Sequence, residues 1–282
     1  MSFFYYLKIK AYRFFSTRLG KSILASLSSF IYVKGLKKNA HKNKLPFIIS
    51  VTIDTESGYV DKNDYRMWQK SKPYAYTGFY NGIGNWRNLL NKHNAKATFF
   101  LSTNCFSAKN DEYKKIVKQL GFLTREGHEI GLHLHPDSDL ALQETLGKKF
   151  YATSAKFYDE KKINELIAAG KNLIKKHLGI NVASFRWGNW ALNADAVKAL
   201  QKNGFKIDSS ASPGIKGHSS DKMAYDWSKV SGHYPWMLSS EDYQNTEHQN
   251  SNVLEIPIAT FGFFGLKLRA EPANSALLNS CF

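Results

Sequence analysis

The sequence predicts an α/β fold, a parallel sheet or barrel in which short strands alternate with helices. Three observations predict it. Short apolar, β-branched runs recur at residues 46–53 (PFIISVTI), 97–101 (ATFFL), 129–135 (EIGLHLH) and 182–186. Segments with apolar residues at helical spacing lie between them. Asp54, His133, Arg186 and Asp208 fall at or near the predicted strand ends, where the ligand sites of such folds gather.

The first run reads as a buried strand ending at Asp54. Residues 85–93 carry Trp86, Leu89 and Leu90 at helical spacing and lead into the strand at 97–101. Residues 111–120 are the next helix and 129–135 the next strand. Residues 160–178 form a strong helix with Ile163, Leu166, Ile167 and Ile174 on one face. After the strand at 182–186, Asn193 is placed to cap a helix over 194–203, and Gly204 suits the left-handed residue that ends it before a strand at 205–208. Residues 253–258 (VLEIPI) are a further strand.

A chain of 282 residues, 43% hydrophobic and 14% aromatic, can bury a sizeable core, which excludes a disordered protein. Cys105 and Cys281 lie far apart without metal or redox spacing, as expected of a protein from a reducing compartment with no disulfide framework. The net charge of +16 would draw the chain toward anionic partners. Its lysines are dispersed singly and in pairs along predicted helices, as on solvated faces, and no zinc-finger or aromatic RNA-binding signature accompanies them. Nucleic acid is therefore not expected as a partner.

Residues 1–44 stand apart as a basic, aromatic N-terminal segment and linker. Phe3, Phe4, Tyr5 and Tyr6 alternate with Lys8, Lys10 and Arg13, and an apolar run over 22–33 follows, too short and serine-rich to span a bilayer. No secretory cleavage pattern follows it. Two readings stay open: residues 1–35 lie on a membrane surface, or they form a helix packed on their own domain. A cytoplasmic protein, peripheral at the inner-membrane surface in the first case, is expected, with the main domain over 45–282.

The chemistry-bearing residues form two clusters. Asp54-Thr-Glu56 ends an otherwise apolar strand, and its spacing points both carboxylates the same way if the chain is still extended. His133 and His135, two apart on a strand, share a face, with Asp137 two residues later. Neutral imidazoles and a carboxylate are the usual donors for zinc and similar divalent ions. A hydrolytic site needs about three protein ligands and an open position for water, and Glu56, His133 and His135 supply them. Asp54 is then the candidate general base, and Arg186, leaving its strand, can orient it and hold it ionised.

With those residues in view, the chain resembles the polysaccharide deacetylases, the NodB-homology group of carbohydrate esterases. Thr52-Ile-Asp-Thr-Glu56 resembles the family's first motif, whose first carboxylate is the base and second a metal ligand. Residues 97–100 match its A-T-F-F, and residues 127–133 match its G-H-E-I-G-x-H, making His133 a metal ligand. The family's second metal histidine comes four residues after the first, where this chain has Asp137. His135 lies two residues early and is the preferred third ligand, with Asp137 the alternative.

The segment 185–190 (FRWGNW) resembles the third motif, with Arg186 orienting the base and Trp187, Asn189 and Trp190 lining the sugar site. Asp208 is grouped with those substrate residues. Asp226-Trp227 loosely resembles the fourth motif. The fifth motif, a strand ending in Leu-His that supplies the general acid, is not evident. His218, His233 and His248 are candidates that the sequence does not separate, and a barrel without its last strand is left open.

The resemblance implies a distorted (β/α) barrel, a divalent metal, zinc being the expected ion, and a hydrolase that removes N-acetyl groups from amino sugars of a cell-envelope polysaccharide or its precursor. Two alternatives stand beside it: an amidohydrolase acting on another C–N bond, and an inert glycan- or membrane-binding relative.

Overall fold

A computed structural model of the protein describes residues 50–56, 76–217, 221–231, 234–263 and 266–269. The expectations for residues 1–44 and for the start of the first strand lie outside them. Residues 50–258 make one compact unit, while 259–282 group with 1–49. Of this second unit the described part is an antiparallel hairpin, β10 (Thr260–Phe263) with β11 (Leu266–Arg269).

The compact unit is built on a seven-stranded sheet: β1 (Thr52–Thr55), β2 (Thr98–Ser102), β3 (Glu129–Leu134), β4 (Ser184–Trp187), β5 (Ile207–Asp208), β9 (Leu254–Glu255) and β8 (Trp236–Met237), in that spatial order. All neighbours are parallel except β8, which runs antiparallel to β9. A small ribbon of β6 (Lys216–Gly217) and β7 (Tyr225–Asp226) stands outside it. The order β1 to β5 follows the chain, as right-handed strand–helix–strand units produce. Among the described residues β1 and β8 do not pair, so the barrel is distorted and open rather than closed.

The helices follow the predicted faces. In α1 (Ile83–Lys92) Ile83 and Leu90 are buried, and in α2 (Asn110–Arg125) Ile116, Leu120 and Leu123 are. A π-helical turn over Gly78–Gly82 extends α1 beyond its expected start, and α2 runs five residues further than its apolar spacing suggests. The 19-residue α4 (Glu160–Leu178) buries Ile163, Leu166, Ile167 and Ile174 on one side. Its N-cap Asp159 accepts a hydrogen bond from the Lys162 amide at 2.7 Å. Asn193 caps α5 (Ala194–Lys202) by accepting from the Ala196 amide at 2.9 Å. The helix α3 (Leu140–Leu146) has no strong apolar period and is not expected from the sequence. It is fixed by its cap Asp139, which accepts from the Leu142 amide at 3.0 Å.

Close packing explains Gly131 in the centre of β3. A Cβ there would lie 2.8 Å from the Phe100 ring and 2.9 Å from the Ser184 carbonyl oxygen, so only hydrogen fits between neighbouring strands. Helix α4 is tied to the rest by His177, which stacks on Phe106 at 4.3 Å and meets the Tyr113 hydroxyl through Nδ1 at 2.8 Å.

Burial, and then the Lys176 charge, pull the His177 pKa below its ordinary value. The unfolded chain therefore binds a proton more readily than the folded one. The neutral imidazole's contribution to stability is complete above the unfolded pKa of about 6.5 and is lost as the pH falls below it. The urea midpoint of the wild type should drop between pH 7 and pH 5 (about 2 units spanning that pKa), and His177→Gln should flatten part of that drop. An unchanged slope in the variant would remove His177 as the source.

Candidate active site

Period-two geometry places the acidic cluster. Thr52 and Asp54 occupy alternate positions of β1, so their side chains share a face, and Glu56 follows just past the strand. On β3 the register pairs His133 with Arg186 of β4, bringing the histidine motif beside the arginine motif at the carboxyl end of the sheet.

Glu56, His133 and His135 come together, each with a ligand atom within 4.8 Å of the others. His135 Nε2 lies 3.1 Å from His133 Nε2 and 3.1 Å from Glu56 Oε2, and His133 Nε2 is 4.0 Å from the same oxygen. Ligands about 2.0–2.2 Å from one tetrahedral ion would be separated by about 3.3–3.6 Å, and the observed spacings bracket that range. His133 is buried, and its Nδ1 lies 3.1 Å from the Arg186 carbonyl oxygen. An Nδ1–H donating there leaves the Nε2 lone pair facing the other two donors, the arrangement in which histidine binds a metal. Burial holds the His133 pKa below its ordinary value, which keeps the ring neutral. The donor set fits a divalent ion.

Asp137, the alternative third ligand, is outside this group, and its Oδ1 accepts from the Thr153 hydroxyl at 2.6 Å. The turn after His135 is held from behind. The amides of Ser138 and Asp139 both donate to the His135 carbonyl, at 3.1 and 3.0 Å. Buried Asp139 accepts from Thr103 Oγ1 at 2.5 Å, and burial raises its pKa to about 6.

Arg186 is almost fully buried and uses four of its five N–H donors. Nη1 donates to Asp54 Oδ1 at 2.6 Å, Nη2 to Thr52 Oγ1 at 2.9 Å and to Ser209 Oγ at 2.7 Å, and Nε to the Ser209 carbonyl at 2.7 Å. Its guanidinium carbon sits 4.3 Å from the centre of the Phe100 ring. A charge-assisted bond of this length fixes the Asp54 carboxylate in one orientation. The Asp54 side chain stays 27% exposed, so solvent reaches it.

The expected substrate residues divide. Trp187 is fully buried, and its indole N–H donates to the Thr153 carbonyl at 2.7 Å. It packs edge-on against Phe185 and cannot present a face to a sugar, which corrects the sequence expectation. Alternation along β4 turns it away from the Arg186 side. Asp208 is likewise fully buried, bonded to Ser210 and paired with Glu255, so it does not line an open site. Asn189 and Trp190 are half-buried in a short 3-10 turn, both with positive φ (51° and 56°), and the Trp190 ring contacts Tyr225 edge-on at 5.6 Å.

In the fourth-motif segment, Trp227 is buried with its N–H on the Trp190 carbonyl at 2.8 Å, and Asp226 pairs with Lys216 at 2.8 Å. Of the candidate acids, His218 and His233 lie outside the described residues. His248 is exposed, 3.5 Å from Glu241.

Sequence reading overlooked Thr52, Ser209 and Glu255. The signal for Thr52 was its position two before Asp54. Nothing local marks the other two, which meet Arg186 and Asp208 only through the sheet.

The polysaccharide deacetylase family description matches residues 81–207. That stretch of the chain, from α1 to the start of β5, is similar to the polysaccharide deacetylases. Asp54, Glu56, Asp208 and Glu255 fall outside the matched residues. A protein of Mycobacterium smegmatis assigned to the polysaccharide deacetylases shares this fold, with a TM-score of 0.50 and 16% identity over 74% of this chain. The chain spans 58% of that structure's length.

Other solved structures match at lower TM-score. The Streptococcus pyogenes deacetylase PplD has a TM-score of 0.36 and 17% identity, over 66% of each chain. A Bacillus anthracis pseudoenzyme, BA3943, has a TM-score of 0.36 and 15% identity, over 57% of this chain and 42% of its own. No curated protein matches the chain.

The turn after β4 places Gly188 against the third candidate ligand. A Cβ on Gly188 would meet three atoms of the His135 ring at 2.6 Å. Gly188→Ala should therefore displace the imidazole and weaken metal binding by about 10-fold or more, read by titration of the purified protein with zinc. Equal affinity in the variant would mean that His135 is not a ligand.

Proposed function

We propose that this chain is a metal-dependent hydrolase that removes N-acetyl groups from amino sugars of a surface polysaccharide or its precursor. The observation that carries the reading is one arrangement of side chains: a carboxylate fixed by a buried arginine, with a His–His–Glu donor set on the neighbouring strand ends. The family's description as polysaccharide deacetylases supports the substrate class.

Glu56, His133 and His135 would hold the ion, probed first as zinc. When bound, a divalent ion supplies Lewis acidity toward a water and toward the acetyl carbonyl oxygen. Asp54 accepts the proton of the attacking water, and Arg186 keeps the carboxylate aimed. Arg186 is anchored by Thr52 and Ser209, so proton transfer needs no rearrangement of the base. Trp190 and Asn189 are the remaining candidates for the sugar contact.

The test measures metal content and acetate release on the same preparations, using N-acetylated oligosaccharides. Stoichiometric metal with acetate release supports the deacetylase. Metal without acetate, across several N-acetyl sugars, would favour another C–N bond as the target. A wild type that takes up no zinc would overturn the metal-dependent reading. The peripheral membrane role stays a proposal with its own assay, liposome binding lost on deleting residues 1–35 and weakened by salt. No helix among the described residues is long and apolar enough to cross a membrane.

A further inference from the structure

Behind Arg186 the sheet buries two carboxyl groups side by side. Asp208 at the end of β5 and Glu255 at the end of β9 are register partners, and both are fully buried. Their surroundings differ. Asp208 receives two donors, the Ser210 hydroxyl on Oδ1 at 2.8 Å and the Ser210 amide on Oδ2 at 3.2 Å. Glu255 receives the Ala211 amide on Oε1 at 3.0 Å, whereas its Oε2 is buried and meets no donor. An ionised carboxylate only accepts hydrogen bonds, and a protonated one also donates. Two ionised groups here would be desolvated and mutually repelling, and one proton relieves both costs.

The pair frames the anchor of Arg186. Ser209, next to Asp208, accepts Arg186 Nε on its carbonyl and Nη2 on its hydroxyl, and the hydroxyl donates to the Ile256 carbonyl, next to Glu255, at 2.8 Å. The Ile256 amide donates back to the Asp208 carbonyl at 2.8 Å. We infer that Glu255 is a positioning residue: it carries a proton on Oε2 at neutral pH, donates it to ionised Asp208, and so locks the Ser209 strand end that holds Arg186 against Asp54. Burial, followed by the neighbouring Asp208 charge, raises the Glu255 pKa well above its ordinary value. Burial also raises Asp208, while the bonds from Glu255 and Ser210 oppose the rise. Arg186 is the cation that faces both.

The assignment is asymmetric, which makes it testable. Glu255→Gln places an amide N–H where the proton is inferred, whereas Asp208→Asn turns an N–H toward the Ser210 donors. The wild-type-minus-Glu255→Gln infrared spectrum at neutral pH should contain a protonated-carboxyl band. The NMR resonance of Arg186 Nε–H should stay in place in Glu255→Gln and move in Asp208→Asn. No such band, or equal movement of the resonance in both variants, would overturn the inference.

These two readouts use no substrate. The kinetic consequence rests on the deacetylase reading: kcat should be about 10-fold lower in Asp208→Asn than in Glu255→Gln, with KM and metal content alike. Rates are compared per folded, metal-loaded molecule, because a smaller folded fraction also lowers apparent kcat at unchanged KM. If band and resonance behave as expected while no preparation releases acetate, the proton assignment stands and the deacetylase reading falls.

Discussion

Asp54→Asn should lower acetate release by about 10²–10⁴-fold, the contribution of a positioned general base, while zinc content stays at the wild-type level. Asparagine has nearly the shape of aspartate, and its oxygen can still accept from Arg186 Nη1, now 2.6 Å from Oδ1. What it lacks is the capacity to take a proton from water. Because Asp54 is not among the three clustered donors, metal binding should survive. KM should change little, since the acetyl group itself is not held by this carboxylate. Near-normal turnover in the variant would reject Asp54 as the base, and loss of zinc would recast it as a ligand.

His133→Ala should weaken zinc binding by more than about 100-fold, beyond the 10–100-fold typical of outer-shell partners, and should abolish turnover with it. His133 is the most constrained of the three donors: buried, bonded through Nδ1 to the Arg186 carbonyl, and 3.1 Å from His135. Its removal also takes away the hydrogen bond to that carbonyl, so some loss of stability accompanies the loss of metal. Glu56→Gln separates the two effects. The Glu56 side chain is 47% exposed, so neutralising it should cost metal affinity with little change in the unfolding midpoint. Zinc bound as tightly by both variants as by wild type would exclude the His–His–Glu centre.

The two variants together test a division of labour built into the sheet. β1 contributes the base, and the end of β3 contributes the histidines. Arg186 on β4 links them, donating to Asp54 through its side chain and receiving His133 on its backbone oxygen. A change at Arg186 would therefore disturb base and ligand at once. The single-residue variants at Asp54 and His133 are more informative for that reason.

The sequence by itself determined the alternation of strands and helices, the caps Asn193 and Gly204, and the pairing of Asp54 with Glu56 and of His133 with His135. These are local properties: apolar period, cap chemistry and the period-two face of a strand report on neighbours a few residues away. Only the tertiary structure decided which residues serve the arginine and which merely pack. It joined Thr52, Arg186 and Ser209, which are up to 157 positions apart along the chain, although β1 and β4 are separated in the sheet by β2 and β3. It put Thr153 on Asp137, leaving His135 with the ligand group. It also turned Trp187 and Asp208 into the core. Burial and cross-strand register depend on what the sheet places alongside each residue, and no window of sequence contains that information.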